Sequence, residues 1–175
     1  MTKEQSPRLI LGVGNLLLRD EGVGVHVIST LRDRELPDDI ELLDGGTASF
    51  DLLDTLAGRR QVIIIDAVRT GSEPGTIFRF TPEDISVSRE QITSLHQVGL
   101  LETLDVAKRL LDSPPEEVVV LGIEPKEIGW GLELSAEVKA AVPKVIELIM
   151  AELDRFQRRP LGESQRSASP QGETT

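Results

Sequence analysis

Gln61-Val-Ile-Ile-Ile-Asp66 and Val118-Val-Val-Leu-Gly-Ile123 are apolar without alternation and rich in β-branched residues. Successive side chains of a strand point to opposite faces, so a strand with one wet face alternates polar and apolar positions. A run that does not alternate has both faces covered. That is the habit of a largely parallel sheet with helices on each side. Two shorter runs fit the same sheet: Arg8-Leu-Ile-Leu-Gly12, and Ile40-Glu-Leu-Leu-Asp44 before Gly45-Gly46. Thr76-Ile-Phe-Arg-Phe80 does alternate and follows a Pro-Gly turn signal, which predicts an edge strand.

Helical spacing fills the intervals. Val23, Val27 and Leu31 share a face, with Asp20 in the position of an N-cap. A second helix is predicted from Ser49 to Leu56, ending near Gly58. Leu100, Leu104, Ala107 and Leu111 mark a third, stopped by Ser113-Pro-Pro. Val138, Val142, Val145, Ile149, Leu153 and Phe156 mark the last, with Ser135 as its N-cap. Pro143 inside that stripe removes a backbone donor and predicts a kink or a split. Strands alternating with helices give a three-layer α/β/α domain over residues 1–156. Residues 157–175 turn polar and rich in Ser, Pro and Gly, the composition of a disordered tail.

In such a sheet, right-handed crossovers bring the strand ends to one rim, and ligands bind there. Glu21 follows the first strand, Asp44 ends the second and Asp66 ends the third. His96, one of two histidines, stands near the start of the third helix. Glu21, Asp66 and His96 make a three-ligand set for a divalent cation with positions left open. Asp44 and Asp66 are the candidate catalytic acids. Gly22 and Gly24 in the first turn of a helix weaken it, which implies a close approach to the backbone there. Gly12-Val-Gly14 resembles a dinucleotide-binding turn, but Leu17 stands where that fingerprint needs a small residue. His26 reads as a surface or packing residue. Trp130, the sole tryptophan, sits in a glycine-flanked loop, for contact or for burial against the last helix.

Composition narrows the classes. The net charge is −11, which speaks against a nucleic-acid track or an anionic membrane as partner. With no cysteine, thiolate chemistry and disulfides are excluded. The polar start lacks the apolar core of a signal peptide, and no run reaches the roughly 20 apolar residues of a membrane span. A cytoplasmic monomer without an organic cofactor is expected.

Five segments in order resemble the hydrogenase maturation endopeptidases, the family that processes the large subunit of nickel-iron hydrogenases. They are Gly12-Val-Gly-Asn-Leu-Leu-Leu-Arg-Asp-Glu-Gly-Val-Gly24, Leu43-Asp-Gly-Gly-Thr47, Ile65-Asp-Ala67, His96-Gln-Val-Gly-Leu100, and Gly122-Ile-Glu-Pro125 with Gly131-Leu-Glu-Leu-Ser135. The resemblance implies metal-contacting roles for Glu21, Asp66 and His96, and an important one for Asp44. It implies removal of a C-terminal extension from the nickel-iron hydrogenase large-subunit precursor after nickel insertion. The nickel is then supplied by the precursor. Three alternatives share the scaffold: a peptidyl-tRNA-hydrolase-like enzyme, which opens with a similar turn, a spore-type germination protease, and a non-catalytic chaperone that senses a metal centre.

Overall fold

The computed structural model describes residues 6–47, 52–86 and 95–159, with backbone alone for residues 52, 85–86 and 95–101. Five strands form one sheet: β1 (Arg8–Val13), β2 (Ile40–Gly46), β3 (Gln61–Ala67), β4 (Ile77–Phe80) and β5 (Glu117–Ile123). Their order is β2-β1-β3-β5-β4. The first four in that order run parallel, and β4 closes one edge antiparallel to β5. Five helices flank it: α1 (Val23–Arg32), α2 (Leu52–Leu56), α3 (Pro82–Ser86), α4 (Leu95–Leu110) and α5 (Ala136–Gln157).

Two apolar clusters explain why β3 and β5 could not alternate. Ile10, Ile63, Ile65 and Leu121 face α1 and α5, meeting Val27, Leu31, Val145 and Ile149. Leu9, Leu11, Val62 and Ile64 face the other way, meeting Leu56 of α2 and Leu104 and Ala107 of α4. Each fully buried isoleucine contributes roughly 1.5–3 kcal/mol relative to exposure. The strand-end rim therefore rests on a rigid double-sided core.

Some expectations are corrected. Asp20 does not cap α1. A 3-10 turn, Arg19–Gly22, precedes that helix, and Gly22 holds the N-cap position. Ser135 stands at the N-cap position of α5, but its hydroxyl serves Asp20 instead of the helix end. Pro143 does not split α5, which runs unbroken for 22 residues. Of the helix predicted over 49–56, α2 supplies the second half, and residues 48–51 lie outside the described residues. Residues 160–175, most of the expected tail, also lie outside them. No helix among the described residues is long and apolar enough to cross a membrane.

The close approach implied by Gly22 and Gly24 comes from the chain itself. A Cβ on Gly24 would run into the carbonyl oxygens of Ile65 and Val13. Gly14 has φ +129°, and a Cβ there would strike the carbonyl oxygen of Glu21. The start of α1 thus lies directly on the ends of β1 and β3, and this contact brings Glu21 to the rim.

Candidate active site

Asp66 is the next-to-last residue of β3 and is 3% exposed. Its Oδ1 accepts the Ala67 N–H at 2.8 Å. Its Oδ2 is buried and has no hydrogen-bond partner among the described residues. Burial disfavours the charged form and Glu21 adds repulsion, while the Ala67 N–H opposes both. The carboxyl is pushed up to about 8. Glu21, half-buried in the 3-10 turn, is therefore close enough to Asp66 for its charge to act there.

Asp44 is exposed, and its Oδ1 accepts the Gly46 N–H at 2.9 Å, the ordinary chemistry of an aspartate before glycines. It lies level with Gly12, which is level with Ile65. Side-chain alternation then directs Asp44 to the face of Ile65 and Asp66 to the opposite face, that of α2 and α4. The sheet thus brings Glu21 to Asp66 and leaves Asp44 two strands away, roughly 9–10 Å at ordinary strand spacing. His96 is the second residue of α4, on the Asp66 face of the sheet, and its side chain lies outside the described residues. Among the described residues, no group of three or more His, Asp or Glu is placed to hold a metal.

The described pair nonetheless suits a cation. Two neighbouring carboxylates, one deeply desolvated with an oxygen to spare, are held in a repulsive arrangement that a positive charge relieves. His26, expected at the surface or in packing, places Nε2 3.0 Å from the Leu132 carbonyl oxygen. Trp130 is 82% exposed, which excludes burial against the last helix.

Two acids at this rim have roles that the sequence reading missed: Asp20, expected as an N-cap, and Glu124, quoted only within the segment 122–125. Asp20 is fully buried. Its Oδ2 accepts the N–H groups of Lys126 at 2.9 Å and Glu127 at 2.8 Å and the Ser135 hydroxyl at 2.8 Å, and its Oδ1 accepts the Ser135 N–H at 2.7 Å. Burial opposes its ionisation, but these donors prevail and hold it below the usual carboxylate range. Glu124 accepts from the Thr70 N–H and hydroxyl and the Gly71 N–H, which fixes the loop after β3. Both are acids without a cation partner among the described residues, satisfied by N–H and O–H groups far away in sequence. No local signal points to such partners.

Fold and site together define an α/β protein with a carboxylate pair at the carboxyl-end rim of a parallel sheet. The model of the HycI hydrogenase maturation protease family matches residues 25–152. The hydrogenase 2 maturation protease of Escherichia coli strain K12 is 37% identical over 147 residues, covering 83% of this chain and 89% of that one. The solved E. coli hydrogenase maturating endopeptidase HybD superposes with a TM-score of 0.78 at 34% identity, over 85% of this chain and 93% of that one. The [NiFe] hydrogenase maturation protease HybD of Thermococcus kodakarensis gives 0.71 at 33%, over 83% and 97%. The chain belongs to the hydrogenase maturation protease family and is a peptide-bond hydrolase. The tRNA-hydrolase, germination-protease and non-catalytic alternatives fall with that assignment.

Proposed function

We infer that this protease removes the C-terminal extension of a nickel-iron hydrogenase large-subunit precursor once nickel is in place, and that the precursor brings the nickel. The observation that carries this reading is the buried Asp66 carboxyl beside Glu21, its Oδ2 without a hydrogen-bond partner among the described residues, at the rim where ligands of such sheets bind. A precursor-borne cation would be recognised by Glu21 and Asp66, with His96 of α4 as the third protein ligand, and docking through it would position the scissile peptide. Intermediate oxygen and nitrogen donors without a thiolate suit nickel as well as zinc. Asp66 keeps its proton to about pH 8, so in the absence of a cation it is a proton donor at neutral pH and a poor base. Asp44, exposed and two strands away, is the remaining candidate to take a proton from water.

Precursor with nickel should be cut and nickel-free precursor should not, as read by the mass of the large subunit. Protease treated with chelator, then freed of it, should cut as before. Glu21→Gln and His96→Ala should weaken processing without loss of the circular dichroism spectrum. Stoichiometric zinc in the purified protein, lost together with activity, would show a resident metal and end the substrate-borne reading.

A further inference from the structure

Among the described residues seven large apolar side chains are exposed, and five of them stand on two adjoining loops: Leu16, Leu17, Ile128, Trp130 and Leu132. Trp130 is 82% exposed and Leu132 58%. The loops run side by side. Leu18 bridges to Gly131 in parallel, the Gly131 N–H donates to the Leu17 carbonyl at 2.9 Å, and the Arg19 N–H donates to the Gly131 carbonyl at 2.9 Å. Asp20 fastens the same two segments with the four hydrogen bonds of its carboxylate. The next residue is Glu21.

We propose that Leu16, Leu17, Ile128, Trp130 and Leu132 form the platform on which the protein substrate of this protease seats an apolar segment beside the bond to be cut. The proposal rests on the cleavage reading above. An exposed tryptophan on a hydrogen-bonded loop with leucines beside it is the composition of a binding hot spot, and isolated exposed apolar residues are not. Two charge pairs lie at its margin, Arg19 with Glu127 at 3.1 Å and Lys126 with Glu137 at 2.6 Å, so an apolar partner would meet these four charges already paired. The occupant follows from continuity with the cleavage rim. The platform adjoins the Glu21 turn, because Glu21 is part of the same hydrogen-bonded unit, so a substrate chain seated at Glu21 and Asp66 has this apolar surface beside it. A second copy of the chain is the poorer occupant, since a two-fold contact here would cover the Glu21 turn of both protomers. Rigidity serves the same end: Asp20 keeps platform and Glu21 in one register, so seating the segment also sets the distance to the carboxylates.

Trp130→Ala, Leu17→Ser and the distal control Leu110→Ala, which changes a 74% exposed residue on α4, are to be titrated with nickel-loaded large-subunit precursor that retains its extension. The expected result is at least a tenfold loss of affinity, and of kcat/KM, for the first two, on the scale of hot-spot truncations. Leu110→Ala should match the wild type, and all three should keep wild-type melting temperatures. If the wild type cleaves and both platform variants bind and cleave as it does, the platform is refuted and the cleavage reading stands. If the wild type binds in a Trp130-dependent manner but never cleaves, the platform stands and the cleavage reading falls. No binding by the wild type removes both. A wild-type dimer that Trp130→Ala converts to monomer in sedimentation assigns the surface to a second copy and overturns the proposal.

Discussion

Glu152 and Asp66 are both buried carboxylates, at opposite rims of one sheet. Glu152 lies where the strands begin, its carbonyl accepting from the Gln61 side chain at 3.1 Å. Burial pushes it up, but hydrogen bonds from Arg79 and Arg155 outweigh that and hold it below its ordinary value. The same rim pairs Arg8 with Asp39 and Arg59 with Glu41. Asp66 lies where the strands end, with Glu21 for a neighbour and one N–H for a donor, and its carboxyl is lifted to about 8. At the first rim these carboxylates are matched by arginines of the same chain, although Arg8 Nη1 and Gln61 Oε1 are buried there without a hydrogen-bond partner among the described residues. The second keeps two carboxylates side by side, with Asp66 desolvated and repelled by Glu21, which is stability given up for the capacity to meet a positive centre. Strongly shifted acids in such a place are what a catalytic or binding site requires and a purely structural rim avoids.

The largest expected effect comes from removing that capacity. Asp66→Asn should lower cleavage by about 10²–10⁴-fold, the range for loss of a proton-transfer group, without lowering the melting temperature. The pH dependence has a definite sign. The folded chain keeps the Asp66 proton to about 8, whereas the unfolded chain releases it near 3.8. Between those values the folded state binds one proton more at Asp66, so the Asp66 contribution to stability falls as pH rises and levels off above about 8. Melting curves of wild type and Asp66→Asn should coincide near pH 4 and separate in favour of the variant up to about pH 8. A variant that melts lower at pH 8 would break the comparison, since Asp66 would then be a structural acid.

Glu152→Gln should do the reverse. It should cost about 1–3 kcal/mol in denaturant unfolding, the scale of a lost charged hydrogen bond, and leave cleavage intact below the melting range. Because the folded-state value of Glu152 is depressed, its contribution is present above the unfolded value of 4.5 and is lost as pH falls through the folded one. The smallest effect belongs to Arg159→Ala. Its pair with Glu117 is 3.3 Å long and the arginine is 42% exposed, so screening leaves less than about 1 kcal/mol.

The sheet was legible because continuous apolar runs have one good explanation, coverage on both faces, and the β3 and β5 runs have that surrounding. Alternation in 76–80 likewise marked an edge. Asp66 was legible for a related reason: an acid at the tip of a buried strand has few places to go. Asp20 was not. An acid near a helix start fits the rule for caps, yet its partners lie 106–115 residues away. Only the folded chain brings them together. Asp44 was read as converging because it ends a strand, but the face it takes depends on register, and a shift of one residue inverts that. Pro143 was overread, since a long helix packed through Val138, Val145, Ile146 and Ile149 accommodates one missing donor without breaking.

The glycines under the Glu21 turn work as a mechanical stop. Where side chains separate two elements, a rotamer change can move one by a fraction of an ångström. Where a peptide rests on another peptide, as Gly24 does on Val13 and Ile65 and Gly14 does on Glu21, there is no such adjustment. The depth of the Glu21 turn over the sheet is therefore a quantity with only one setting. Engineering for a differently sized metal or a longer reach has no gradual route through these positions, because the smallest addition, one methyl group, already lifts the turn. It would have to act through the length of residue 21 itself or through the strand that presents Asp66.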